Sequence, residues 1–189
     1  MRTSDCSHRT RFVTYCSDRL WGAPATPRPS PARMVLRARV LSVGKTKSRW
    51  VEEGVGVFTA RLAPLAQVKY VTIKEQRGAS TPAQAVARES ERILQQASAG
   101  FWLLDERGSA LRSVEFAERL QAAQQRAGRA LDLVVGGAHG VSDEVKAAAG
   151  ATVSLSAMTL THDMAKLLLV EQVYRACTIL KGGKYHHGD

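Results

Sequence analysis

From Val35 onward the chain alternates between two hydrophobic periods, and that alternation predicts the fold. Val35–Val43 is rich in β-branched residues, stops at Gly44 and reads as a strand. Arg49–Leu62 carries Val51, Val55, Phe58 and Leu62 at helical spacing, in spite of the weakening Gly54 and Gly56. Val68–Ile73 reads as a second strand. Pro82 opens a helix that runs to about Ala97, with Thr81 placed to cap it. Phe101–Leu104 is a third strand, which Asp105-Glu106-Arg107-Gly108 should close as a turn. A third helix over Ser113–Ala127 precedes the run Leu131–Val135, read as a wholly apolar, buried strand. A short helix around Ser142–Ala148, a short strand at Thr152–Leu155 and a long helix over His162–Leu180 complete the order. Strands alternating with helices imply an α/β fold: a mostly parallel sheet with helices on both faces.

Residues 1–33 differ in character. They are rich in Arg, Ser, Thr and Pro, with Asp5 and Asp18 as the only acids, and end in the Pro-punctuated run ATPRPSPAR. Basic, hydroxylated and acid-poor is the composition of an organelle transit peptide. The competing reading starts the protein at Met34. Either way the expected domain is 34–189, in a chloroplast or mitochondrion if the leader is a transit peptide and in the cytoplasm if the source is bacterial.

The formal charge of +10 and pI near 10.0 favour a polyanionic partner, because clustered Lys and Arg release counterions from phosphates. No apolar run approaches the ~20 residues that a membrane span needs. Cys6, Cys16 and Cys177 form no CxxC pair, so neither zinc nor a disulfide framework is indicated. Cys177 falls in an apolar helical pattern, where a buried thiol is the ordinary expectation.

Parallel sheets bind ligands beyond the carboxyl ends of their strands. The relevant segments here are Leu104-Asp105, Gly136-Gly137-Ala138-His139-Gly140 and Leu155–Leu160. The glycine segment is neither a GxGxxG fingerprint nor a P-loop, and alone it fits a tight turn with no ligand equally well. Together the three segments offer main-chain donors and acceptors rather than a catalytic dyad. That suits a ligand with an adenine edge and a small charged tail. Hydrolase arrangements such as HExxH or a carboxylate pair are missing.

The segment 155-LSAMTLTHDMAKLLLVEQVYRACTILKGGKYHHGD-189 adds a Ser/Thr loop, a His opening a helix, an EQxYRA signature and a GKYHH terminus. It resembles the C-terminus of the ribosomal RNA large subunit methyltransferase H family, of the SPOUT superfamily. The rest agrees in order: Val43-Gly44-Lys45, Leu104-Asp105 with Gly108, and Gly136-Gly137 with Gly140. The resemblance covers essentially Met34–Asp189. Its TILKGGKYHH ending is closer to plant-type members.

The resemblance implies a C-terminal trefoil knot, a homodimer, S-adenosylmethionine bound without metal, and methylation at N3 of a pseudouridine in large-subunit ribosomal RNA. Carried over by position, cofactor contacts fall on Leu104, Gly136, Gly137, Gly140, Leu155, Ser156, Ala157, Met158, Thr159 and Leu160. Gly136 and Gly137 would then be bare because the cofactor lies against them. His162, Tyr185 and His186 are the implied catalytic groups, and Lys45, Lys166, Arg175, Lys184 and His187 the implied RNA contacts. The bland readings are a capping His162, a Glu171–Arg175 ion pair at i,i+4 and a frayed tail. Lys166 departs from bacterial members, which usually carry Arg there, and Lys makes no bidentate phosphate contact. A non-catalytic RNA-binding factor, or a knotted methyltransferase for another RNA, would share these features.

Overall fold

The computed structural model describes residues 35–183 and 185. The expectations for residues 1–33, Lys184, His186 and His187 lie outside the described residues. Ten elements follow in order: β1 (Leu36–Val43), α1 (Arg49–Leu62), β2 (Ala66–Ile73), α2 (Pro82–Gln96), β3 (Trp102–Ala110), α3 (Ser113–Ala127), β4 (Leu131–Val135), α4 (Asp143–Ala148), β5 (Ala151–Ser154) and α5 (His162–Leu180). The strands form one sheet in the order β2-β1-β4-β3-β5, and every neighbouring pair is parallel.

Alternate residues of the central strands point to opposite faces, and each face has its own core. On one, Ala38, Val40, Leu131 and Leu133 pack with Leu62 of α1, Phe116 and Leu120 of α3, and Leu169 and Val173 of α5. On the other, Leu41, Val43, Leu103 and Val134 pack with Ile93 of α2 and Val145 of α4. Helices therefore cover both faces, as the pattern implied. Gly54, a weak residue within a helix, has a packing reason. A Cβ there would sit 3.1 Å from Leu167 Cδ1, so its absence lets α1 lie close against α5.

Two expectations need correction. β3 does not end in a turn after Leu104. It pairs with β5 through Trp102–Leu104, slips register, and resumes at Ser109 and Ala110. The Asp-Glu-Arg-Gly segment forms an irregularity inside the strand, with Asp105 Oδ1 accepting from Arg107 N at 2.8 Å. Gly108 makes this possible, because a Cβ there would lie 2.7 Å from the backbone of Thr152 and Val153.

β4 is also not wholly apolar, since it contains the buried Asp132, 1% exposed. Arg39 of β1 donates to it through Nε (2.6 Å) and Nη2 (2.5 Å), and Ser98 N donates at 2.7 Å. Arg39 Nη2 also reaches Gln96 O at 3.1 Å, so one ion pair ties two central strands to the end of α2. The Asp132 hydrogen bond holds the Arg39 pKa above its ordinary value.

Removing one partner of a buried pair leaves an uncompensated charge, which costs several kcal/mol. Arg39→Met is expected to lower unfolding free energy by about 3 kcal/mol in denaturant titration. Adding Asp132→Asn should recover part of that loss, because the neutral amide oxygen can still accept from Ser98 N.

Candidate cofactor and substrate cleft

The carboxyl ends of the strands open into a cleft of about 1260 Å³. Its floor is the segment after β4. Gly140 N donates to Gly137 O at 3.0 Å to close a tight turn, and Gly140 holds a left-handed φ of 79°. That conformation favours glycine. The turn is pinned from α2, where the buried Ser90 Oγ accepts from Ser142 N at 2.9 Å just before α4 begins.

Gly136 and Gly137 have a reason other than the expected one. A Cβ on Gly136 would lie 2.9 Å from Val141 Cγ1, and one on Gly137 would collide with the Glu89 carboxylate. The protein's own side chains occupy that space, so no ligand is needed to explain the missing side chains.

The segment between β5 and α5 forms the opposite wall. Ser154 Oγ donates to Ser156 O at 2.8 Å, and Ser156 Oγ accepts from Met158 N at 2.9 Å. Thr159 Oγ1 donates to Glu106 Oε2 at 2.5 Å, which ties this wall to the irregular part of β3. Thr161 caps α5 by accepting from Met164 N, and Asp163, two residues on, holds the entry to a second helix. Its Oδ2 accepts from Lys47 N and Ser48 N, both at 3.0 Å, which fixes the start of α1.

His162 sits between these walls. Its Nδ1 lies 3.2 Å from Gly136 O, while its buried Nε2 has no hydrogen-bond partner among the described residues. Asp163 Oδ1 is 3.9 Å from that nitrogen, too far for a hydrogen bond.

The structure thus gathers most of the expected site residues. Leu104, Gly136, Gly137, Gly140, Leu155, Ser156, Met158, Thr159, Leu160, His162 and Lys45 line the cleft, and Ala157 does not. Lys166 is turned inward instead. Its Nζ donates to Thr46 Oγ1 at 3.1 Å and lies 5.9 Å from the Tyr70 ring centroid. Burial pushes its pKa below the ordinary lysine value.

Arg175, on α5, and Tyr185, beyond its end, lie elsewhere. Arg175 Nη2 pairs with Glu171 Oε1 at 2.8 Å, as the i,i+4 spacing suggested. Tyr185 Oη donates to the same oxygen at 3.2 Å, its ring 4.8 Å from Tyr174 and beneath the Arg175 guanidinium. At 1.5 Å per residue, Arg175 is roughly 20 Å along the helix from His162. Tyr185 therefore does not join His162 in the cleft of its own chain.

Sequence reasoning missed Glu89, Glu75 and Lys47, all of which line the cleft. Lys47 and Arg77 hydrogen-bond Glu75 and hold its carboxyl below the usual carboxylate range. Glu89 did carry a signal: it falls on the stripe Ala85, Glu89, Ile93 at i, i+4 and i+8, where an amphipathic helix turns inward.

The family model described as "Predicted SPOUT methyltransferase" matches residues 36–186. The chain belongs to the SPOUT methyltransferase family. Three relatives, each named ribosomal RNA large subunit methyltransferase H, show how close the similarity is. The Trichlorobacter lovleyi protein is 40% identical over 154 residues, covering 80% of this chain and 100% of its own. The Prochlorococcus marinus protein is 45% identical over 153 residues, 80% of this chain and 93% of its own. The Geotalea daltonii protein is 39% identical over 154 residues, 80% and 100% respectively. The family match begins at the first residue of β1 and takes in every strand and helix described above.

For this SPOUT methyltransferase, Gly137→Ala should destabilise by about 1–3 kcal/mol through overpacking against Glu89. Glu89→Ala in the same background should relieve a measurable part of that cost. Additive losses in thermal unfolding would show that the two residues do not press on each other.

Proposed function

We propose that this chain transfers a methyl group from S-adenosylmethionine to N3 of a pseudouridine in large-subunit ribosomal RNA. The observation that carries the reading is the cleft at the strand ends, where Leu104, Gly136 and the Leu155–Leu160 wall converge. The names of the relatives point the same way. The fit to the cofactor rests on the cleft's chemistry. Backbone N–H and C=O groups of the wall suit an adenine edge, and the buried, unpartnered Nε2 of His162 is a polar atom in want of a partner.

Bound there, the cofactor would supply an electrophilic methyl on a sulfonium. What remains for the protein is to align the base and accept its N3 proton. The basic residues Lys45, Lys47, Arg107 and Lys146 around the cleft suit the phosphates of a folded RNA.

A homodimer belongs to the same reading. α5 carries apolar residues on more than one face, and Met164, Leu167, Leu168 and Tyr174 stay partly exposed on the single chain. A helix of that kind is ordinarily covered on every side, and a second copy would cover it. Tyr185, distant from its own cleft, would act at a cleft only in such an assembly. The knotted path between β5 and α5, and import directed by residues 1–33, complete the proposal. Among the described residues no helix is long and apolar enough to cross a membrane.

The test is to incubate the full chain with S-adenosylmethionine and ribosomes from a strain lacking the modification, then map the RNA by mass. One new methyl on a pseudouridine N3 of large-subunit RNA is expected. A protein that binds the cofactor yet leaves ribosomal RNA unmethylated would contradict the reading.

Truncation after Lys184 should leave S-adenosylmethionine affinity near normal and slow methylation by at least ~10²-fold. Full-rate methylation by the truncated chain would make the tail dispensable.

A further inference from the structure

The cleft is larger than its expected cofactor contacts require. Single small-molecule sites run roughly 300–1,000 Å³, and this one measures about 1260 Å³. The expected contacts all lie toward β3, β4 and β5. The remaining half is bounded by Gly44 after β1, Glu75 and Gln76 after β2, and Thr81, Ala85 and Glu89 along the first half of α2.

Glu89 is the unusual group there. It is only 7% exposed, yet it lines the cleft. Its Oε1 accepts from Gln76 N at 2.8 Å, which anchors the side chain. Its Oε2 packs on the bare Gly137 and accepts no hydrogen bond among the described residues. A carboxylate oxygen that opens onto a binding cleft from an otherwise buried and anchored side chain marks a place for a donor from outside. Arg92 on the same helix does not serve, because its guanidinium is committed to Lys74 O (2.7 Å) and Gln76 Oε1 (3.0 Å).

Resting on the methyltransferase reading above, we propose that this half of the cleft holds the substrate base. Glu89 Oε2 receives the N–H of the atom to be methylated. The base's N–H bond breaks as its nitrogen takes the methyl carbon from the sulfonium donor. The C–S electron pair stays on sulfur, and the proton passes to Oε2 and from there to water. The same contact sets specificity. A uracil-type imide presents an N–H to the carboxylate, whereas the N3 of cytosine presents a lone pair that the carboxylate repels. The turn Gly136–Gly137 separates this acceptor from His162, so each half of the cleft has its own polar group.

Glu89→Gln keeps an oxygen for Gln76 N and replaces Oε2 with an amide donor. With the cofactor affinity read by calorimetry and the melting temperature as the folding control, both should stay near wild type. Single-turnover methylation should fall by at least ~10²-fold. A rate within about twofold of wild type, or cofactor affinity lost in step with the rate, would overturn the assignment.

A second measurement needs neither turnover nor cofactor: affinity for ribosomes whose target position, mapped with the wild-type enzyme, carries uridine or cytidine. Wild type should bind the uridine form at least ~10-fold more tightly, and Glu89→Gln should largely erase the difference. Equal binding of both forms by wild type would also overturn it. Failure of the wild-type enzyme to methylate ribosomal RNA at all would instead sink the underlying function.

Discussion

Where β4 ends, Gly136 and Gly137 have no free space for a side chain, and the site is arranged around that constraint. Gly136 faces Val141, Gly137 faces the Glu89 carboxylate, and the Gly136 carbonyl meets His162 Nδ1. Two elements distant in sequence, α2 and α5, thereby place a polar side chain on either side of one short backbone segment. Were either glycine to carry a Cβ, the Val141 or Glu89 side chain would have to move, and the floor of the cleft would change with it. Close packing makes such shifts expensive, because interiors accommodate added atoms only with strain.

Around this turn the fold ties the cleft together with short-range polar contacts at helix ends. Asp163 caps α1 from the first turn of α5, Ser90 holds the entry to α4, and Thr159 bonds to Glu106 in β3. Each joins elements that pack on different parts of the sheet, so the walls are set by the core rather than by loop preference. The Arg39–Asp132 pair plays the matching part within the sheet, locking β1 to β4 and to the end of α2. Function is thus drawn from rigid elements, which suits a reaction that asks for alignment more than for reactive side chains.

Much of this was legible in the sequence, for identifiable reasons. The helices α1, α3 and α5 begin and end where their periodic apolar residues do, because each buries one or more faces in a core that demands that spacing. Thr81 before Pro82 announced α2 through capping chemistry that is wholly local. β3 was misread because Asp-Glu-Arg-Gly has genuine turn chemistry, and pairing with β5 overrides it only in three dimensions. Asp132 passed unnoticed within an otherwise apolar run whose partner, Arg39, lies 93 residues away.

In the site, the positions assigned to the cofactor reached the cleft with the exception of Ala157, while Lys166, Arg175 and Tyr185 found partners within the chain. Glu89 was overlooked because a glutamate in a helix ordinarily faces water. Only its place on the Ala85–Ile93 stripe hinted otherwise.

The central claim is that the cleft at the strand ends is a cofactor site built from backbone on the β3, β4 and β5 side, leaving the α2 side for substrate. A crystal structure of the full chain soaked with S-adenosylmethionine tests it most directly. The account predicts the ligand against Leu104, Gly136 and the Leu155–Leu160 wall, with Glu89 Oε2 untouched. A ligand seated between Glu75 and Glu89, or bound outside the cleft, would contradict it.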